Sequence, residues 1–100
     1  MPEPLALDGD AVLSLVPSVV STTIPGETVV LDPRADRYFS LAGVANRVWE
    51  LLQSPTTASA IVGTIVDEYE VEAATCERDV RALLDELRER ELLVVTRAAP

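Results

Sequence analysis

The sequence changes its pattern near residue 42, and this change constrains the fold more than any other feature. Residues 1–41 hold five of the seven prolines, between short runs rich in valine, threonine and isoleucine. Residues 42–95 hold one proline, Pro55, and their apolar residues recur at helical spacing. Short strands followed by helices are typical of an α+β domain. We expect one domain over residues 1–100, because a chain of this length has no room for two.

Proline and glycine divide the first part into short predicted strands. Pro17 and Pro25 bracket a β-branched run, and Pro25-Gly26 is typical of a tight turn. The three predicted strands span residues 18–24, 27–32 and 37–41. Tight connections favour an antiparallel meander over a parallel sheet.

Three helices are predicted after the strands. They span about 43–53, 57–69 and 73–91, and Thr56 or Thr57 is a good N-cap for the second. Three strands followed by three helices suggest a winged helix-turn-helix. We expect residues 92–95 to form a short extended tail. The remaining predictions are a loose lead-in over 1–10, a turn over 32–36, a frayed end over 97–100 and a domain core over about 18–95.

The charge balance argues against anionic partners. Seventeen acids face eight arginines, which gives a net charge of −9. The third predicted helix occupies the place of a recognition helix, yet residues 76–91 hold four arginines and six acids. Nucleic-acid affinity comes mainly from neutralising phosphates, so we expect no nucleic-acid partner. We likewise expect no membrane partner and a cytoplasmic location, because the apolar runs are short and no secretion signal is apparent.

The residue inventory also argues against catalysis and cofactors. There is no histidine, so neither a Ser-His-Asp nor a Cys-His system can be built. Cys76 is the one cysteine, and its place on an apolar helix stripe favours packing over a reactive role. We therefore expect no enzyme activity, metal or other cofactor.

Two alternatives stay open at this stage. A winged helix-turn-helix transcriptional regulator would retain duplex DNA in a gel shift at moderate salt. An acyl carrier protein is also small and acidic, and it would carry phosphopantetheine on Ser40 as a mass increment. Ser40 follows Phe39 in a strand-like segment, whereas carrier proteins are all-helical, so the sequence disfavours this role.

The predicted meander indicates a binding function. A strand at the edge of a sheet presents unpaired N–H and C=O groups, which an extended peptide can join as an extra strand. If the third strand is such an edge beside the third helix, the two define a groove. The helix stripe would then serve both as core and as groove wall.

The segment from Leu31 to Leu93 resembles the PqqD-like family, also called RiPP recognition elements, over about two thirds of the chain. The ordered matches are Leu31-Asp32, Arg37-Tyr38-Phe39-Ser40-Leu41, Val48-Trp49-Glu50-Leu51-Leu52, Thr56-Thr57, Ile61-Val62, Ile65-Val66, Tyr69-Glu70-Val71, Asp79-Val80, Leu83-Leu84, Leu87 and Leu92-Leu93. Within the family, the pattern is most similar to the stand-alone leader-binding proteins of lasso-peptide biosynthesis.

The resemblance implies a non-catalytic adaptor that holds the leader segment of a ribosomally made precursor peptide. Its implied partners are the leader, a separate cysteine protease of transglutaminase type and possibly an asparagine-synthetase-like cyclase. The leader would lie antiparallel to the third strand, in the cleft with the third helix. Neighbouring genes for a short precursor, a protease chain and such a cyclase would support this assignment.

The resemblance also assigns a binding site to particular residues. The backbone of Arg37, Tyr38, Phe39, Ser40 and Leu41 would pair with the leader, and one of the two aromatic side chains would face inward. The helix residues of the implied site are Cys76, Val80, Arg81, Leu83, Leu84, Leu87 and Arg88. Three arginines of the implied site, Arg37, Arg81 and Arg88, are candidates for contacting leader carboxylates.

The chain departs from the family pattern at two positions. Ala42 stands where asparagine is usual, at the end of the third strand. Glu91 stands where glycine is usual, which suggests a third helix that continues without a glycine C-cap.

Overall fold

The computed structural model describes residues 11–32 and 36–97, which fold into two antiparallel sheets and three helices. The predicted α+β class, with an N-terminal antiparallel sheet followed by three helices, is confirmed. The winged helix-turn-helix description stays a prediction. The strands are β1 (Ala11–Leu15), β2 (Val20–Ile24), β3 (Glu27–Asp32), β4 (Arg37–Ala42), β5 (Thr56–Thr57) and β6 (Leu93–Arg97). The helices are α1 (Val44–Leu51), α2 (Ala58–Tyr69) and α3 (Ala73–Glu89).

The predicted three-stranded meander is present in the order β2-β3-β4. Pro25 and Gly26 form the tight turn between its first two strands, and Gly26 has a φ of 76°, which glycine adopts without strain. The third strand of the meander, β4, includes Ala42, the position where asparagine is usual.

A second sheet combines segments that are far apart in the sequence. β1 lies between β5 and β6 and pairs antiparallel with both. The sequence analysis did not predict β1 or β5, whereas the predicted extended tail is confirmed as part of β6. The predicted fraying is wrong for Arg97, which is the register partner of Ala11. The loose lead-in (1–10), the middle of the turn (33–35) and the end of the chain (98–100) lie outside the described residues.

The hydrophobic core lies between the helices and both sheets. β1 contributes Leu13, which has no exposed surface. The core cluster is completed by buried residues from every helix and from four other segments, namely Val30, Leu41, Val48, Trp49, Leu52, Ala58, Ile61, Ile65, Cys76, Val80, Leu84, Leu87, Leu92 and Leu93. Burying one large aliphatic side chain contributes about 1.5–3 kcal/mol, so this cluster dominates the stabilisation of the domain.

Two hydrogen bonds attach the meander to α1. The indole Nε1 of buried Trp49 donates to the Ser21 hydroxyl on β2 at 3.2 Å. The hydroxyl of fully buried Thr28 on β3 donates to the side-chain oxygen of Asn46. A shift of the sheet on the helix would break these bonds and leave buried polar groups unpaired, which is costly. The two bonds therefore fix the position of the sheet on the helix.

A salt bridge joins α1 to α2. The Arg47 guanidinium donates two hydrogen bonds to the Glu68 carboxylate, at 2.8 and 2.9 Å. These hydrogen bonds hold the pKa of Glu68 below its ordinary value. Both groups are exposed to solvent, so the pair orients the two helices more than it stabilises them.

The end of α3 corrects one prediction. The helix does not continue, because Glu91 has a φ of 61° and takes the left-handed conformation that glycine usually supplies. The N–H of Leu92 donates to the carbonyl of Leu87 and the N–H of Glu91 donates to that of Arg88, both at 3.0 Å. This is the Schellman pattern of hydrogen bonds, formed here without glycine.

Replacing Leu13 by alanine tests whether β1 belongs to the folded core. We expect Leu13→Ala to lower the free energy of unfolding by about 2–5 kcal/mol, because it leaves a cavity among fully buried neighbours. Urea denaturation followed by circular dichroism measures the change. Ile24→Ala on exposed β2 is the control, and we expect it to cost about 1 kcal/mol or less. Equal effects of the two substitutions would contradict a structural role for β1.

Candidate functional site

The register of the β2–β3 hairpin determines which backbone groups face which neighbour. Ile24 and Glu27 are partners across a two-residue turn, so they form a doubly hydrogen-bonded pair. Backbone groups alternate between the two sides of an antiparallel strand. The groups of Thr28, Val30 and Asp32 on β3 therefore point towards β4.

β4 is an edge strand within residues 11–32 and 36–97, since β3 is its only neighbour in the sheet there. The partners of Thr28, Val30 and Asp32 on β4 are Leu41, Phe39 and Arg37. By alternation, the N–H and C=O groups of the residues between them point to the open side of the strand. These residues are Tyr38, Ser40 and Ala42. The predicted unpaired edge is thus present in this part of the chain.

The register also resolves which aromatic side chain faces inward. Phe39 lies opposite fully buried Val30 and packs against the core, so it faces α3. Tyr38 lies opposite Leu31 on the outer face of the sheet and is 77% exposed. The two neighbours therefore project to opposite faces, as alternation along a strand requires.

A cleft of about 210 Å³ separates β4 from the C-terminal half of α3. Phe39, Ser40 and Leu41 line its sheet side, and the helix side is lined by Leu83, Glu86, Leu87 and Arg90. The Arg90 guanidinium lies 4.8 Å from the centre of the Phe39 ring, within the range of a cation–π contact. Its Nη2 is also 3.2 Å from the Glu86 carboxylate.

An adjoining depression extends the cleft towards the start of β4. Phe39 and Arg90 line both, and the second is completed by charged residues, namely Asp32, Arg37, Glu89 and Glu91. This end of the cleft therefore combines carboxylates with guanidinium groups. Charged pairs at such a rim contribute little affinity but can select among partners.

The structure brings part of the implied site together at this cleft. Arg37, Phe39, Ser40, Leu41, Leu83 and Leu87 line it, and Tyr38 contributes backbone groups to its open edge. Cys76, Val80 and Leu84 are buried in the core and do not line the cleft. Arg88 is half-buried and does not line the cleft.

Arg81 lies on a different surface. It lines a larger depression of about 470 Å³ between α2 and α3, and it is 3.9 Å from Glu77. Val80 borders the same depression. The size of this depression does not make it the better candidate, because it offers no strand edge with which a peptide could pair.

Sequence reasoning missed Glu86 and Arg90. Both are polar, and the implied set emphasised the apolar stripe of the helix. Their spacing from Leu83 could have identified them, because residues three, four and seven positions apart share one helix face. The positions 83, 86, 87 and 90 therefore form a single wall.

The described residues offer binding surfaces and no evident metal chemistry. Within residues 11–32 and 36–97, no group of three or more histidine, cysteine or acidic side chains is placed to hold a metal ion. None of the helices in that part of the chain is long and apolar enough to cross a membrane. What the cleft provides is a row of backbone donors and acceptors beside a helix wall that alternates leucine with charged residues, which suits an extended peptide.

Comparison with known proteins identifies the family. The model of the family described as coenzyme PQQ synthesis protein D (PqqD) matches residues 27–93. This chain therefore belongs to the PqqD family, and it is a PqqD-like RiPP recognition element. A search of curated proteins finds no significant match.

Three solved structures resemble most of the chain. TbiB1 in complex with the TbiA(beta) leader peptide is 39% identical, with a TM-score of 0.76 over 80% of this chain and 93% of that one. A lasso peptide synthetase B1 complexed with the leader peptide is 27% identical, with a TM-score of 0.72, and the match covers 82% of this chain and 96% of that one. The PqqD truncation of Methylobacterium extorquens PqqCD, a stand-alone RiPP recognition element, is 26% identical. Its TM-score is 0.72, and the match covers 89% of this chain and 95% of that one. These relatives do not favour the DNA-binding alternative.

The burial of Cys76 predicts an unreactive thiol. Burial, and secondarily the negative charge of Asp79, raise the pKa of Cys76, which disfavours the nucleophilic thiolate. We expect Ellman's reagent at pH 8 to label Cys76 rapidly in urea-unfolded protein and far more slowly in folded protein. The absorbance of the released thiolate measures both rates. Rapid stoichiometric labelling of folded protein would contradict the buried position.

Proposed function

We propose that this protein is a non-catalytic adaptor that binds the leader segment of a ribosomally made precursor peptide, of the lasso type. The leader adds as an antiparallel strand to the open edge of β4, in the cleft with α3. The observation that carries this proposal is the open edge of β4. It is supported by the 39% identity of this chain to TbiB1, a protein solved with a leader peptide.

The backbone supplies the sequence-independent part of binding. A guest strand hydrogen-bonds to the N–H and C=O groups of Tyr38, Ser40 and Ala42, which face the open side of β4. An antiparallel guest runs against β4, so its N-terminal part lies near Ala42 and its C-terminal part near Arg37. The end of the leader that continues into the rest of the precursor then leaves near the charged end of the cleft.

Side chains supply the selective part. Alternate guest residues point inward and contact Phe39, Leu41, Leu83 and Leu87. Cys76, Val80 and Leu84, which the resemblance assigned to the site, are buried in the core, and the proposal gives them no direct contact with the guest. Arg37 meets leader carboxylates at the rim, where Arg90 is better placed for the same task than Arg81 or Arg88.

The adaptor presents the bound leader to a separate leader peptidase. The proposed peptidase is a cysteine protease of transglutaminase type, and the proposed site of this step is the cytoplasm. An asparagine-synthetase-like cyclase is a further candidate partner. Copurification of each candidate with this protein, with and without leader, tests these partnerships.

Replacing Leu83 by aspartate tests the cleft. The probe is a fluorescein-labelled synthetic TbiA(beta) leader peptide, and fluorescence polarisation measures its affinity. We expect Leu83→Asp to raise Kd by about tenfold or more, because binding would bury an unpaired carboxylate. Leu83 is half-buried, unlike Leu84, so this substitution is compatible with folding.

Ala82→Asp is the matched control for this experiment. It adds the same charge to the same helix at an exposed position one residue away. We expect an unchanged affinity, and circular dichroism confirms that both variants are folded. Equal affinities of wild type and Leu83→Asp would remove the cleft from the binding site.

Amide exchange tests strand addition directly. In the protein alone, we expect the N–H groups of Tyr38 and Ser40 to exchange quickly, while those of Phe39 and Leu41 are protected by β3. Saturating TbiA(beta) leader peptide should protect Tyr38 and Ser40 and leave the other two little changed. Residue-resolved NMR exchange measures all four. Binding without new protection at Tyr38 and Ser40 would exclude pairing along β4.

A further inference from the structure

An exposed apolar row crosses the outer face of the meander. Val20, Leu31 and Tyr38 are register partners in adjacent strands, so their side chains lie side by side on one face. Their exposed fractions are 53%, 43% and 77%. The row faces away from α3, because the neighbouring positions Val30 and Phe39 point into the core and the cleft.

The row ends at the open edge of the sheet. Tyr38 is its last member, and the backbone groups of Tyr38 point to the same open side. Single exposed apolar residues need no explanation. Three in one cross-strand row, with the largest and most exposed at the edge, form a surface that a fourth strand would extend.

We infer that Tyr38 is a specificity-determining residue that contacts an outward-facing apolar side chain of the bound peptide. This inference rests on the proposed function and concerns the opposite face of the guest strand from the cleft. A guest residue in a hydrogen-bonded pair with Tyr38 has its Cα about 5.5 Å away and its side chain on the outer face. An apolar or aromatic side chain there lies against the Tyr38 ring and continues the row.

Recognition then follows a two-residue alternation along the guest. Residues that face inward contact the cleft, and a residue one or three positions away contacts Tyr38. The protein therefore selects peptides with apolar side chains on both faces of the added strand. A cleft that acted alone would be indifferent to the outward positions.

The test is a double-mutant cycle between Tyr38 and the peptide. The probe is the TbiA(beta) leader peptide and its single alanine variants, measured against wild type, Tyr38→Thr and Leu83→Ala by fluorescence polarisation. Threonine, like tyrosine, is common in β-strands, and the exposed position makes the variant compatible with folding. We expect Tyr38→Thr to weaken the parent peptide roughly 1.5- to 5-fold, the range of a cross-strand pair.

The position of the coupling decides the question. One alanine variant of the peptide should bind wild type more weakly than the parent peptide does. For that variant, Tyr38→Thr should cause little further loss of affinity. That peptide position should be an odd number of residues from those coupled to Leu83. Ile24→Thr, on the same face but on the far strand, should leave every affinity unchanged.

Each outcome separates the inference from the proposed function. Two results would overturn the inference and leave the proposed function intact. In the first, wild type and Tyr38→Thr bind the parent peptide with equal affinity. In the second, the peptide position coupled to Tyr38 is an even number of residues from those coupled to Leu83. If wild type fails to bind a leader that TbiB1 binds in the same assay, the proposed function fails for this leader, and the inference falls with it.

Discussion

The open edge of β4 depends on how the C-terminal strand is paired. β6 follows α3 in the sequence and needs a partner for its backbone groups, as every strand does. It pairs with β1 in a separate sheet, where β1 is also joined by β5. Within the described residues, neither β6 nor β1 therefore occupies the edge of the meander. The proposed addition of a foreign strand requires that the chain's own strands stay away from that edge.

Helix α3 serves the core and the cleft with adjacent residues. Leu84 is fully buried, whereas Leu83 is half-buried and lines the cleft. Neighbouring helix residues differ by about 100° in direction, so one helix can present a core face and a cleft face side by side. The Schellman ending of the helix contributes to this arrangement, because it stops the helix beside β4 and leaves Arg90 over the Phe39 ring.

The meander likewise has two faces with different roles. Its inner face carries Val30 and Phe39 towards the core and the cleft, and hydrogen bonds to α1 hold it in place. Its outer face carries an exposed apolar row that ends at the open edge. Binding by strand addition uses the backbone first, and selectivity then depends on the side chains that alternate above and below it. A small sheet can in this way select a peptide without a deep pocket.

Local patterns were sufficient to predict the meander, the three helices and an N-cap at Thr56 or Thr57. The structure selects Thr57, whose side chain accepts a hydrogen bond from the Ala60 N–H at 3.1 Å. These features depend on residues close together in the sequence, where turn chemistry and periodicity act. The edge-strand argument predicted a groove between the third strand and the third helix, and the family resemblance assigned residues to it. The ordered matches of that resemblance correspond to the segment that the family model recognises.

Other features depend on contacts between distant segments. The Leu13–Val95 pairing joins residues with no shared local pattern, so β1 could not be recognised as a strand from its neighbours. Alternation along β4 predicts that Tyr38 and Phe39 face opposite sides, but only the packing of the sheet on the helices decides that Phe39 faces inward. The sequence by itself determined the meander, the three helices and the family. The tertiary structure alone decided which edge stays open and which side chains face it, because burial and strand pairing are properties of the assembled chain.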